Sequence, residues 1–313
     1  MRSVRGRSIR VRPAVTPLAL DTVDAPVDCA RTSLYTADEL YDAWPYAASL
    51  DARAYAWSST PRTPRATLAQ ALHDHAIDDA LTTWVAERHL VGVMGGHDSD
   101  RSSASYADAA RLGWMLGQHH VVATGGGPGA MEAANLGGRL AGDPRDRLAE
   151  AVATLAAVPA YHPSVDAWAR KALDVLGVPG DGPSGSRARE SLGIPTWFYG
   201  HEPPNVFATA IAKYFRNAAR EAILLQICDA GIVFLPGAAG TVQEVFQDAC
   251  ENYYASPETV APMVLVGRAY WTTELPAWPL LRSLARGRPM EHHIHLVDTV
   301  DQAVELVAET RPR

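Results

Sequence analysis

The chain has 313 residues, of which 47% are hydrophobic, so it can build one large α/β domain with extensions or two modest domains. Its formal charge of −7 argues against non-specific binding to nucleic acids and anionic membranes, and the expected partner is a small molecule. Cys29, Cys228 and Cys250 lack the spacing of metal ligands and leave an odd count, so we interpret them as buried thiols of a reducing compartment.

Residues 1–85 show no regular alternation of strands and helices. Helical stretches are predicted at 37–43 and 68–87, and we interpret the whole segment as an N-terminal extension packed on the main domain. No apolar stretch after the arginine-rich start is long enough for a signal peptide, and no later segment approaches a membrane span. A cytoplasmic location is therefore expected.

From about residue 89 the pattern alternates between strands and helices. It predicts an α/β fold, a Rossmann-like doubly wound parallel sheet with helices on both faces, over residues 86–313, with an irregular insertion at about 143–203. A Gly/Pro/Ser-rich stretch at 180–185 is expected to be an exposed loop. The predicted elements are strands at 90–96, 120–124, 155–158, 194–199, 231–235, 263–266 and 294–297, and helices at 105–118, 128–140, 165–176, 206–227, 241–254, 280–286 and 300–309.

Two glycine-rich turns each follow a strand and open a helix. Residues 124–132 read TGGGPGAME and residues 236–244 read PGAAGTVQE. Glycines let backbone N–H groups approach an anion, and the N-terminus of the following helix adds a positive dipole end. Because parallel sheets bind ligands at the carboxyl ends of their strands, the two turns are expected to face each other across one crevice. A nucleotide or sugar phosphate is the natural occupant.

Both turns have structural alternatives. The first fits the loose dinucleotide fingerprint, but it follows the second strand and lacks the acidic residue that such a site needs, and it could simply pack its helix against the sheet. In the second turn, Thr241 and Glu244 have the spacing of a capping box, which stabilises a helix without chemistry. Because Glu244 lies just after a glycine turn, we favour the interpretation that its carboxylate contacts a bound ligand.

Charged residues near the turns are further candidates. Lys213, Arg216 and Arg220 share one face of the helix predicted at 206–227; that face is either solvated or directed at the crevice, where the arginines would clamp a phosphate. Glu132 either complements the helix dipole or contacts a ribose hydroxyl. Two further assignments concern histidines. His97 and Asp98 are placed to line a base pocket, and the cluster at 292–295 is interpreted as a surface feature rather than a metal site.

The two glycine-rich turns resemble the motifs of a known protein family. Residues 125–135 and 236–244 look like the two signatures of the Lonely Guy family, cytokinin riboside 5′-monophosphate phosphoribohydrolases that are often mislabelled lysine decarboxylases. Residues 202–244 also look like bacterial nucleotide 5′-monophosphate nucleosidases, and the similarity covers roughly residues 89–300. The resemblance implies that the chain hydrolyses the N-glycosidic bond of a nucleoside 5′-monophosphate to free base and ribose 5-phosphate, as a homodimer without a metal or other cofactor.

The resemblance also implies roles for single residues. Glu244 would be the catalytic carboxylate, with Arg220 or Arg216 on the phosphate or the leaving base. The groups that would hold the rest of the substrate are Thr241 and the backbone from Gly237 to Gly240 on one side, and Gly126, Gly127, Gly129 and Glu132 on the other. The sequence departs from the family pattern at Ala238, Gln243 and Glu221. A non-catalytic nucleotide sensor or carrier that uses the same crevice is the alternative.

Overall fold

The predicted α/β fold is confirmed by the structure, a computed structural model that describes residues 25–61, 63–177, 189–198 and 202–309. Within these residues, seven strands form one parallel sheet: β1 Leu90–Met94, β2 Val121–Thr124, β3 Ser191–Gly193, β4 Ala210–Ile211, β5 Ile232–Phe234, β6 Met263–Val266 and β7 Ile294–Val297. The helices are α1 Ala37–Leu40, α2 Leu50–Ser58, α3 Pro64–Val85, α4 Ala104–Leu116, α5 Ala130–Arg139, α6 Arg145–Leu155, α7 Val165–Leu176, α8 Asn217–Gln226, α9 Ala239–Tyr254, α10 Ala277–Ala285 and α11 Val300–Glu309.

The order of the strands creates a switch point in the middle of the sheet. It reads β4-β3-β2-β1-β5-β6-β7, so the chain winds outward from β1 in one direction and then restarts at β5 in the other. All five residues of β1 and all three of β5 are buried, and because successive residues point to opposite faces, both faces are covered here. The loops after β1, β2 and β5 therefore meet at one edge, where open α/β sheets bind ligands.

The segment before β1 is bound to the sheet and to α8. Tyr35 and Ile211 exchange two backbone hydrogen bonds, with N···O distances of 2.9 and 2.8 Å. The Asp74 carboxylate of α3 accepts hydrogen bonds from the backbone N–H groups of Phe215 (2.9 Å) and Arg216 (3.0 Å), at the start of α8. These contacts fit an extension packed on the main domain, and the boundary between residues 85 and 86 stays a prediction.

Residues 206–227 do not form the single long helix that the sequence predicted. Residues 210–211 are β4, which pairs with β3, and α8 begins only at Asn217. Lys213 lies before α8 with its side chain buried, so Lys213, Arg216 and Arg220 do not share a helical face. The apolar residues repeat at intervals that suit a helix, but pairing with β3 and with Tyr35 decides the outcome.

Smaller corrections concern the insertion and the cysteines. The strand predicted at 155–158 is wrong because Leu155 ends α6, and the strand predicted at 194–199 lies earlier, as β3, with only an isolated bridge at Thr196. The loop predicted at 180–185 falls outside the described residues. Cys228 is buried as expected, whereas Cys29 is partly exposed and Cys250 is exposed. No helix in the described part of the chain is both long and apolar enough to cross a membrane.

Candidate functional site

The loop after β1 is held between the two glycine turns. The Gly96 N–H donates to the Pro236 carbonyl (3.2 Å), and the Gly96 carbonyl accepts from the Ala130 N–H (3.1 Å). A crevice of about 400 Å³ opens here, and both turns contribute to its lining, through Met131 on one side and residues 238–241 on the other. The turns thus lie on either side of one crevice, at the switch point of the sheet.

The glycines of the first turn are explained by packing. Gly126 and Gly129 have φ angles of 72° and 69°, which residues with a side chain rarely adopt. A Cβ on Gly129 would lie 2.6 Å from the carbonyl oxygens of Gly96 and His97. A Cβ on Gly127 would lie 3.0 Å from Met131 Cε, and neither Gly126 nor Gly127 lines the crevice. This turn supports the loop after β1 through Gly129 and contacts the crevice through Met131, and Gly129 also lines a smaller cavity beside the crevice.

Helix α9 begins within the second glycine turn, and its N-terminal residues line the crevice. The helix begins at Ala239, and Ala238 caps it without a side-chain hydrogen bond. Thr241 and Glu244 are therefore the third and sixth residues of the helix, so they do not form the capping box that the sequence allowed. The backbone N–H groups of the first turn of a helix have no partners within the helix, and here they face the crevice, where an anion can bind them.

Two glycines of this turn provide a matched pair of substitutions. A Cβ on Gly237 would overlap Thr241 Oγ1 and lie 2.9 Å from Gly96 N, whereas a Cβ on Gly240 would meet nothing within 4 Å. We expect Gly237→Ala to lower the free energy of unfolding by about 1–3 kcal/mol, because the turn must move. Gly240→Ala is expected to leave stability unchanged or raise it slightly, while weakening binding in the crevice. Urea denaturation of both variants checks this, and equal stabilities would contradict it.

Glu244 and Arg220 form the charged centre of the crevice. Arg220 Nη1 lies 3.7 Å from Glu244 Oε1, with 11% and 14% of the two side chains exposed. The Nε and Nη1 atoms of Arg220 have no hydrogen-bond partner. Burial raises the pKa of Glu244 to about 7, with Arg220 opposing the rise and Glu221 adding to it. A carboxylate that titrates near neutral pH beside an unsatisfied guanidinium is a typical arrangement for acid–base chemistry or anion binding.

Two departures from the family pattern contact each other. Gln243 Nε2 donates to Glu221 Oε2 (2.5 Å), and Asn217 Nδ2 donates to Glu221 Oε1 (2.6 Å), so both oxygens of this buried carboxylate are occupied. Four acidic residues consequently line the crevice, Asp98, Glu202, Glu221 and Glu244, against Arg220 and His97. Arg220 and the N-terminus of α9 are therefore the groups of the crevice that attract an anion, although Arg220 also lies 3.7 Å from Glu244.

Glu132 and Arg216 are placed away from the open crevice. The Glu132 carboxylate is fully buried and accepts hydrogen bonds from Arg101 Nε (3.0 Å) and Nη2 (2.5 Å). Arg101 also donates to the carbonyls of Val158 and Trp168, so this ion pair connects α5 to the insertion. Arg216 is exposed at the start of α8 and does not line the crevice. Neither residue lines the crevice, although Glu132 lines a smaller cavity beside it, and their roles toward a ligand stay predictions.

Sequence reasoning missed the site residues of the insertion. Glu202 lines the crevice, and its Oε1 lies 3.7 Å from His97 Nδ1, while His97 Nε2 lies 2.8 Å from Asp98 Oδ1. Asn205 is fully buried, and its Nδ2–H group donates a hydrogen bond to the Gly127 carbonyl of the first glycine turn (3.1 Å). The sequence signals were the resemblance of residues 202–244 to nucleotide 5′-monophosphate nucleosidases and the pair Pro203-Pro204, which marks a rigid connection; neither says where these side chains lie.

The described residues contain no group of three or more histidine, cysteine or acidic side chains placed to hold a metal ion.

No family model matches the sequence, and no curated protein matches it either. Solved structures do match the fold. One is the molybdenum cofactor binding protein from the phototrophic bacterium Rippkaea orientalis, which is 17% identical with a TM-score of 0.43 over 71% of this chain and 97% of that one. Another is the molybdenum cofactor carrier protein MCP from Chlamydomonas reinhardtii, at 18% identity and a TM-score of 0.43 over 71% and 98%. These likenesses concern the fold alone.

Proposed function

We propose that the crevice hydrolyses the N-glycosidic bond of a nucleoside 5′-monophosphate, giving a free base and ribose 5-phosphate. One observation carries the proposal: Glu244, whose pKa is raised to about 7, lies beside the unsatisfied Arg220 at the N-terminus of α9. The resemblance of both glycine turns to phosphoribohydrolase signatures supports it. The homodimer and the cytoplasmic location remain predictions.

The reaction needs a carboxylate in the position that Glu244 occupies. As the C1′–N bond breaks, its electron pair goes to the base and positive charge develops on the ribose, which the ionised Glu244 carboxylate stabilises. Water then attacks C1′ and loses a proton to Glu244, so the carboxylate also acts as general base. The raised pKa keeps that carboxylate a better proton acceptor than an ordinary glutamate, while leaving much of it ionised at neutral pH.

The 5′-phosphate is expected to bind at the N-terminus of α9, about one helical turn before Glu244 on the same helix. The backbone N–H groups at the start of α9 and the helix dipole favour an anion there, and Gly240 leaves space for it. Arg220 also lines the crevice, with Nη1 3.7 Å from Glu244 Oε1. Its Nε and Nη1 atoms are buried and make no hydrogen bond, so a phosphate oxygen would satisfy them once the side chain turns toward it. Arg220 thereby links the phosphate to the reacting end of the substrate.

Incubation with purine, pyrimidine and isopentenyladenosine 5′-monophosphates, beside their nucleosides, tests this function. Free base is detected by chromatography. We expect release from the monophosphates only, because only they present the group that α9 and Arg220 bind. Binding of nucleotides without release of base would contradict hydrolysis and favour the alternative, a nucleotide sensor or carrier. Release from nucleosides at equal rates would contradict the phosphate site.

A further inference from the structure

A second cavity opens beside the crevice, and His97 lies between the two. It has a volume of about 180 Å³, and His97 and Asp98 line both spaces. Its lining includes the aromatic side chains of Tyr161 and His162 from the insertion, whose rings lie 4.4 Å apart between centroids, with the buried Trp168 behind Tyr161. A planar ligand group that extends past His97 would therefore find flat side chains to stack on.

The backbone of His97 is fixed by both glycine turns. Gly96 is hydrogen-bonded to Pro236 of one turn and Ala130 of the other, and Gly129 packs against the His97 carbonyl. The imidazole therefore projects from a rigid loop, with 44% of the side chain exposed to the two cavities and solvent. A histidine held in this way keeps its position relative to a ligand in the crevice.

Carboxylates flank the imidazole on both sides. Glu202 Oε1 lies 3.7 Å from Nδ1 and Asp98 Oδ1 lies 2.8 Å from Nε2. The Glu202 side chain is 29% exposed. The Asp98 side chain is 85% exposed, so it can rotate away from the imidazole into solvent at little cost in free energy. Tyr161 belongs to the same cluster, because burial, then Glu202 and then Asp98 raise the pKa of its phenol. Glu202 can thus orient the ring while Nε2–H becomes available to a ligand.

We propose that the second cavity holds the base of the nucleotide and that His97 is the catalytic acid that protonates this base as it leaves; the inference rests on the proposed function. With the phosphate at α9 and C1′ beside Glu244, the base extends toward His97. The C1′–N bond breaks with its electron pair moving to the base, and the imidazolium proton moves to a base nitrogen. Water adds to C1′, and its proton goes to Glu244, so that base and ribose 5-phosphate leave neutral at the broken bond.

Leaving-group chemistry tests this role. AMP and GMP are each compared with the 7-methylated nucleotide at pH 6, where the methylated base carries a fixed positive charge and can leave without receiving a proton. For His97→Gln we expect kcat/KM to fall about 100- to 1,000-fold on AMP and GMP, and to stay within a few-fold of the native value on the methylated substrates. His75→Gln is the control, because His75 pairs with Asp79 on the exposed side of α3, far from the crevice.

Each outcome decides the proposal. Equal losses on methylated and unmethylated substrates would show that His97 contributes binding or structure, and would overturn its role as acid. No loss on any substrate would overturn it as well. If the native protein binds the nucleotides and releases base from none of them, the proposed function fails and the role of His97 fails with it. Circular dichroism of the variant checks that the loop substitution leaves the fold intact.

Discussion

Replacing Glu244 with glutamine is expected to lower the rate of base release about a thousandfold, while nucleotide binding and stability stay close to native. Glutamine keeps the size of the side chain but neither accepts a proton from water nor stabilises positive charge on the ribose. The helix begins at Ala239 and does not use Glu244 as a cap, so the substitution removes no capping interaction. Single-turnover release of base, with binding measured by calorimetry, separates the two effects.

The pH dependence of the native protein follows from the same carboxylate. Glu244 must be ionised to accept a proton, and its pKa is raised to about 7, so the active form is lost as the pH falls below 7. We expect kcat/KM to drop about tenfold for each pH unit on this limb, reaching about one hundredth of the plateau at pH 5. A profile that stays flat from pH 5 to pH 8 would rule out Glu244 as the base.

A control on the same helix makes the comparison specific. Glu251 lies two turns after Glu244 on α9, does not line the crevice, and is expected to tolerate Glu251→Gln with native activity. If Glu244→Gln and Glu251→Gln both keep native activity, Glu244 is not the catalytic carboxylate. That result would leave the fold and the ligand site in place and require another group as the base.

The parts of the fold that the sequence predicted are those set by local patterns. Strands β6 and β7 and helices α7 and α11 were predicted with the observed bounds, because each apolar run is framed by turns or helix-capping residues. The region around β4 was not, because its apolar spacing suits a helix and only contacts with β3 and Tyr35 make it extended. Helix α2 was missed entirely; its side chains show almost no amphipathic pattern, and Ser49 is its only local signal.

The residues of the candidate site also fall into those that a local pattern predicted and those that only the tertiary fold reveals. Glu244 and Thr241 could be found from a motif, because a glycine turn and the helix after it fix their positions together. Arg220 lies on α8 and was identified only from the charged face predicted at 206–227 and from the resemblance. Glu202 and Tyr161 could not be found from a motif, since they come from an insertion without periodicity, and only the tertiary fold brings Glu202 to the crevice and Tyr161 to the cavity beside it. The fate of Glu132 was equally hidden: its position suggested a ligand contact, but Arg101, 31 residues away in sequence, occupies its carboxylate.

Replacing Asp51 with alanine is expected to destabilise the protein by about 3–5 kcal/mol, more than any surface substitution. Lys213 Nζ lies 2.5 Å from Asp51 Oδ1, with 1% and 2% of the side chains exposed. The same carboxylate accepts hydrogen bonds from Trp197 Nε1 and the Tyr46 hydroxyl, both at 2.8 Å. Burial lowers the pKa of Lys213 and Asp51 opposes this, so without Asp51 the ammonium stays buried and unpaired or loses its proton.

Two controls separate loss of the partner from loss of packing. Asp298→Ala removes a carboxylate that pairs with Arg268 on the surface, where 60% and 56% of the side chains are exposed, and is expected to cost at most about 1 kcal/mol. The double variant Asp51→Leu with Lys213→Met should recover part of the lost stability, because no unpaired charge remains while Trp197 Nε1 and the Tyr46 hydroxyl still lose their acceptor. Guanidinium denaturation measures the stability of all of these variants, and a double variant no more stable than Asp51→Ala would contradict the charge argument.

Because Lys213 lies between β4 and the helix that carries Arg220, the ion pair of Asp51 and Lys213 also couples the segment before β1 to the candidate site.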